Sequence, residues 1–182
     1  IRILKDMGCD AIRTAHNMPS TMQMEVCDSM GMMVMAESFD MWLYPKCKNG
    51  YALHFRDWAE RDMTNLILCH RNHPCIVMWS IGNEIPEQWS VQGRQLSRWL
   101  QNICHRLDPT RPVTQGMDKA EASLQSGFAQ VMDVAGFNYR VHKFDQSISQ
   151  LPQGVLLGSE SASTVSSRGV YDISCSSPRE AK

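Results

Sequence analysis

Short apolar runs separated by helix-length segments recur along the whole chain, and the runs are apolar throughout instead of alternating with polar residues. The strings AIRT, MMVMA, IVMWSIG, VTQ, VAGF and VLLG begin at residues 11, 32, 76, 113, 134 and 155. A strand that is apolar on both faces is buried on both, which is the habit of a parallel sheet covered by helices. The intervening segments carry the helical period. Met22, Val26, Cys27 and Met30 form one stripe closed by Gly31, and Phe55, Trp58, Ala59, Met63, Leu66 and Ile67 form a second. Leu96, Trp99, Leu100, Ile103 and Leu107 form a third, ended by Asp108 and Pro109.

About six strands alternating with helices leave two architectures open. A doubly wound sheet favours a G-x-G-x-x-G phosphate loop after its first strand, and the sequence has none. A (β/α)8 barrel places its chemistry at the carboxyl ends of many strands. Here those ends carry Arg13 with His16, then Glu37, Asn83 with Glu84, Asn138 with Tyr139, and Glu160. The expectation is an incomplete TIM barrel, about six of its eight strands, because such barrels take ~250 residues and this chain has 182.

Charge narrows the partners. Eighteen Lys and Arg against nineteen Asp and Glu give a formal charge of -1, so nothing favours nucleic acid or an anionic membrane. No apolar run is long enough to cross a bilayer. Seven cysteines without a C-x-x-C pair argue against a disulfide framework. Cys69, His70, His73 and Cys75 are the one cluster with zinc-binding residue types. Pro74 and the strand that follows pull Cys75 away from the other three, so the cluster reads as a helix end and strand start.

Glu84 and Glu160 stand at separate strand ends, and two such carboxylates suit glycoside hydrolysis. One keeps a proton for the departing oxygen; the other stays ionised and attacks the anomeric carbon. Asn83, an amide, can bind a sugar hydroxyl without adding charge. Arg13 can hold the nucleophile ionised and Tyr139 can donate to it, while Glu37 fits either carboxylate role. Trp42 either stacks on a sugar face or covers its loop, and Trp79 reads as barrel filling.

The segments GCDAIRTAHNMPS, VCDSMGMMVMAESFDMW, RNHPCIVMWSIGNE, DVAGFNY and GSESASTVSSRGVY resemble, in order and spacing, the catalytic barrel of glycoside hydrolase family 2, in particular its bacterial β-galactosidase-like branch. The resemblance implies a retaining exo-β-glycosidase acting on terminal β-galactosides. It implies Glu84 as general acid/base, Glu160 as nucleophile and Asn83 as ligand of the sugar's 2-hydroxyl. Arg13 and Tyr139 would support the nucleophile, and His16 and Glu37 would line the sugar pocket. It further implies that residues 1–182 hold roughly the second to seventh βα units, without the family's β-sandwich domains, and that the parent is exported to a bacterial periplasm or surface.

Departures from the family pattern carry their own expectations. Cys69 and His70 replace a commoner Arg and Asp, and Asp10 and Met18 a commoner Asn and Pro. Ser38 to Trp42 lack the His that helps bind magnesium in the large metal-dependent β-galactosidases, so no cofactor or obligatory metal is expected. The Asn and Lys pair that reads a carboxylate in β-glucuronidases is not visible, which favours a neutral sugar. A β-glucuronidase or β-mannosidase of the same family and a non-catalytic carbohydrate-binding barrel are the alternatives.

Overall fold

Six strands, each paired in parallel with the next in sequence, make one sheet in the computed structural model, which describes residues 1–162. Cys175 and the end of the string GSESASTVSSRGVY lie outside those residues. The strands are β1 (Ala11–Arg13), β2 (Met33–Glu37), β3 (Ile76–Asn83), β4 (Val113–Met117), β5 (Ala135–Asn138) and β6 (Leu156–Glu160). The helices are α1 (Arg2–Asp6), α2 (Thr21–Met30), α3 (Phe55–His70), α4 (Val91–Leu107), α5 (Ala120–Gln125) and α6 (Phe144–Ile148). A helix between successive parallel strands is what a crossover requires.

Local chemistry marks the ends of the crossover helices. Ser20 Oγ caps α2 by accepting from Gln23 N at 3.2 Å, and Gly31, at φ 64°, closes it in the left-handed region open to glycine. Ser90 Oγ caps α4 by accepting from Gly93 N at 3.0 Å. The core lies between sheet and helices: Val34, Ala36, Trp79 and Val113 pack with Met63, Leu66, Leu100 and Ile103. Trp79 is filling, as expected, and its Nε1 donates to Asp108 Oδ2 at 3.0 Å.

Two stripes need correction. In α2 the buried residues are Met24 and Cys27, which face β2 and α3, whereas Met22 and Val26 are exposed. In α3, Trp58 is exposed and lies under the Arg61 guanidinium, 4.4 Å from its ring centroid. The Cys69 to Cys75 cluster does not converge. Cys69 is exposed and Cys75 buried, His70 pairs with the Pro19 carbonyl, and His73 pairs with Asp28.

The sheet is curled into a half-barrel. Arg13 of β1, Met35 of β2, Met78 of β3 and Leu157 of β6 all line one cavity of about 300 Å³, so the two edge strands face each other across the inner side. They are joined there by side chains and not by a backbone ladder.

Candidate active site

The carboxyl ends of the strands lie in matched register, and that register assembles the site. Glu37 of β2 pairs with Ser80 of β3, Asn83 of β3 with Gly116 of β4, and Asn138 of β5 with Glu160 of β6. The ladders shift between Ser80 and Asn83 and again between Phe137 and Asn138. A bulge at a barrel rim re-aims the side chain that follows it. Here the side chains that follow are the two asparagines of the site.

Backbone conformation does the same work one residue further on. Glu84 and Tyr139, each just beyond its strand, have φ of 45° and 57°, and Arg140 follows at 51°. A non-glycine residue held in this region costs ~1–3 kcal/mol and persists only where its surroundings over-determine it. Glu84 is fixed by its own N–H, which donates to Gly116 O at 2.7 Å, and Tyr139 N donates to Glu160 O.

Arg13 is the hub. Its Nε and Nη2 reach Glu37 Oε2 at 2.8 and 2.7 Å, and Nη2 also donates to Asn83 Oδ1 at 2.7 Å. Its Nη1 donates to Glu160 Oε1 at 2.8 Å and to Ser159 O at 3.3 Å. One planar guanidinium thus spans β1, β2, β3 and β6, which its five fixed donors allow. Glu37 is 0% exposed. Its remaining partners are His16 Nδ1 at 2.6 Å and Ser80 Oγ at 2.5 Å. The carboxylate is therefore fully occupied, and it reaches the mouth only through Arg13 and His16.

The two remaining carboxylates are bonded unequally. Glu160 accepts from the Arg13 guanidinium on Oε1 and from the Tyr139 hydroxyl on Oε2, at 2.8 and 2.5 Å. Both oxygens act as acceptors, the behaviour of an ionised carboxylate. Among the described residues Glu84 accepts one side-chain bond, from the neutral amide Asn138 Nδ2 at 2.9 Å. Asn138 Nδ2 also donates to Asn83 Oδ1 at 2.9 Å, and Ser159 Oγ holds Asn138 Oδ1 at 2.7 Å. Asn83 Nδ2 lies on the His16 side, 3.5 Å from Nε2.

Of the residues singled out in the sequence, the structure brings Arg13, His16, Glu37, Asn83, Glu84, Tyr139 and Glu160 into this network. Trp42 it does not. That ring is 0% exposed, packed beside Phe55 and Phe128, with Nε1 donating to Ile81 O at 3.0 Å. It covers the loop and presents no face to a ligand, which corrects its reading as a sugar contact. Sequence reading missed Ser80, Ser159 and Gly116, and gave Asn138 no role. A Cβ on Gly116 would stand 2.7 Å from Asn138 Oδ1, 2.8 Å from Asn83 Oδ1 and 2.9 Å from Arg13 Nη2. A glycine near the end of a barrel strand, directly after the polar Gln115, was the available signal.

Known proteins share this fold. The family model described as glycosyl hydrolases family 2, TIM barrel domain, matches residues 1–148. The beta-galactosidase BoGH2A of Bacteroides ovatus is 36% identical over 202 residues, covering 94% of this chain and 24% of that protein. A glycosyl hydrolase family 2 member from Bacteroides cellulosilyticus superposes with a TM-score of 0.79 at 35% identity, covering 88% of this chain and 21% of the other. The beta-D-glucuronidase of Dictyoglomus thermophilum does so with a TM-score of 0.63 at 28% identity, covering 79% and 26%. The chain thus spans about a quarter of the length of these relatives. With the curled parallel sheet and the network at its carboxyl end, the match over most of its residues shows that this chain belongs to glycosyl hydrolase family 2 and forms part of that family's TIM barrel.

Proposed function

We propose that, in its complete protein, this barrel is a retaining exo-β-glycosidase that removes terminal β-galactosyl units from oligo- or polysaccharides. The observation that carries the reading is the unequal bonding of the two carboxylates. Glu160, held by Arg13 and Tyr139, is the nucleophile, and Glu84, held by one neutral amide, is the proton carrier. In the first step a Glu160 oxygen bonds to the anomeric carbon while the glycosidic C–O bond breaks and Glu84 gives its proton to the leaving oxygen. In the second, Glu84 takes a proton from water, the water oxygen bonds to the anomeric carbon, and Glu160 leaves as carboxylate. Asn83, whose Oδ1 is already filled by two donors, offers Nδ2 to a sugar hydroxyl.

The experiment is done in the complete protein, on a panel of aryl β-galactosides, β-glucuronides and β-mannosides. The galactoside is expected to be fastest, as the relative from Bacteroides ovatus supports. Glu160→Gln abolishes turnover of every substrate. Glu84→Ala still forms the glycosyl-enzyme from an aryl glycoside, hydrolyses it slowly and recovers with azide. Rescue of Glu160→Gln with retained configuration would reverse the two roles, and no turnover of any β-glycoside by the parent would overturn the reading. A sugar-analogue complex should hold the two carboxyls ~5–5.5 Å apart, the retaining distance.

A further inference from the structure

Asn83 and Glu84 are joined by one peptide plane, and both of its polar ends are held. The Glu84 N–H donates to Gly116 O at 2.7 Å, and the Asn83 carbonyl accepts from Lys46 Nζ at 2.7 Å. Bonds from an ammonium are among the stronger ones a carbonyl can accept. Together the two bonds set the plane from which Glu84 turns into its left-handed φ of 45°. The two side chains depend on that plane unequally. Asn83 is also gripped through its own amide, by Arg13 and Asn138, whereas Glu84 has one neutral side-chain bond among the described residues. The aim of Glu84 therefore rests chiefly on its backbone.

Lys46 belongs to the loop after β2. An exposed lysine on a flexible four-carbon stem can hold a carbonyl only where its own backbone is fixed. Here the loop is stapled to the end of β3. Trp42 Nε1 donates to Ile81 O at 3.0 Å, and the N–H groups of Leu43 and Tyr44 donate to one oxygen of Glu87 at 2.8 and 2.9 Å. A Cβ on Gly82 would stand 2.8 Å from Ile85 Cγ1 and 3.2 Å from Trp42 Nε1, so the bare glycine lets the loop lie this close.

Glu87 is buried in the turn Pro86–Trp89, three residues beyond Glu84, and takes no part in the network above. Its carbonyl oxygen would lie 2.1 Å from a Cβ on Gly93, so α4 abuts it with no room for a side chain. Its second carboxyl oxygen is buried and meets no partner among the described residues. Burial pushes this carboxyl above its ordinary range, while the N–H groups it holds and the Lys46 charge act in the opposite sense. A carboxyl in such a place is destabilising in itself, and what it does here is fasten the loop that carries the lysine.

We infer that Lys46 and Glu87 are positioning residues for the proton transfer: Lys46 orients the Asn83–Glu84 peptide so that the Glu84 carboxyl faces the glycosidic oxygen, and Glu87 locks the loop that brings Lys46 there. The inference rests on the assignment of Glu84 as proton carrier. In the glycosylation step their effect is confined to leaving groups that need a proton.

The test measures kcat/KM, which reports glycosylation, in the complete protein on two aryl β-glycosides of its preferred sugar. The phenyl glycoside needs its leaving oxygen protonated, and the dinitrophenyl glycoside departs without a proton. Lys46→Met keeps the length of the side chain and loses the ammonium. It is expected to lower the phenyl value by about a hundredfold, the effect of misplacing a reacting group by ~1 Å, and the dinitrophenyl value by less than about threefold. Glu87→Ala should give the same split. Glu87→Gln, whose amide oxygen can still accept both N–H groups, should recover most of that loss. Because Lys46 is exposed, its variant folds whether or not the buried Glu87 tolerates truncation. Glu84→Ala is the reference and should show the split in larger measure. Equal losses on both substrates for Lys46→Met, or no loss on either, would overturn the inference and leave the glycosidase reading intact. Equal losses for Glu84→Ala, or no turnover of any β-glycoside by the unmodified protein, would overturn that reading and the inference with it.

Discussion

Arg13 makes four contacts that no shorter or more flexible cation can make together. Lysine has one compact ammonium in place of a planar fork, so Arg13→Lys keeps the charge and loses the geometry. The expected result is a fall in kcat of roughly a hundredfold, the usual effect of misplacing a reacting group by ~1 Å, with little change in circular dichroism. Tyr139→Phe removes one hydrogen bond to Glu160 and leaves the ring. A bond to a charged acceptor is worth ~1.5–3 kcal/mol, so kcat should drop by about ten- to a hundredfold in single-turnover measurements. Both residues were legible in the sequence as polar groups at strand ends. What the sequence did not reveal was their order of contact: Glu37 lies behind Arg13 and His16, because burial depth at a strand end depends on the bulges of neighbouring strands. Trp42 stayed open between two readings for the same reason, since an aromatic beside a site reads alike whether it faces the mouth or the core.

At the scale of elements, the strands were legible as short apolar runs, and the three long helices because each repeats its period for long enough to be seen. Helices α5 and α6, six and five residues long, were not, because a single turn carries no period. The turn after α4 shows how much a short connection can hold. Asp108 binds Trp79 of β3, Thr110 and Arg111, and Arg111 in turn reaches the Arg71, His73 and Ile76 carbonyls. Burial alone would raise the Asp108 carboxyl, but the hydrogen bonds from Thr110, Arg111 and Trp79 outweigh it and hold the group at about 2, below its ordinary 3.8. A depressed carboxylate stabilises the fold above its unfolded pKa and loses that contribution as pH falls through the folded one. Asp108→Asn should therefore cost about 2 kcal/mol at neutral pH, and thermal unfolding should show the deficit closing between pH of about 4 and about 2. In β4, Gly116→Ala should leave the complete protein folded but inactive, since the added methyl enters the space between Asn83, Asn138 and Arg13. Activity of this variant within about threefold of wild type would mean the network repacks more readily than close-packed interiors do.

For the molecule as a whole, the curled sheet leaves β1 and β6 as unpaired edges among the described residues, and Met33, Val77 and Val155 are exposed. Edges of this kind invite pairing with other chains. Expressed alone, the 182 residues should be poorly soluble and inactive on aryl β-galactosides, whereas the same residues within their complete protein should be active. Size-exclusion chromatography with an activity assay decides it, and an active monomer would show that the sheet closes on itself. The contact between Arg13 and Glu160 spans 147 positions of sequence. On the ribosome the arginine emerges first and its partner 147 positions later, so all of that stretch is made before the two can meet. Until then Arg13 can only rest on Glu37 and Asn83, and the nucleophile cannot be set. Chemical competence thus waits on the synthesis of every residue between them. The interval is one of synthesis, at ~5–20 residues per second, and not of the local folding that precedes it.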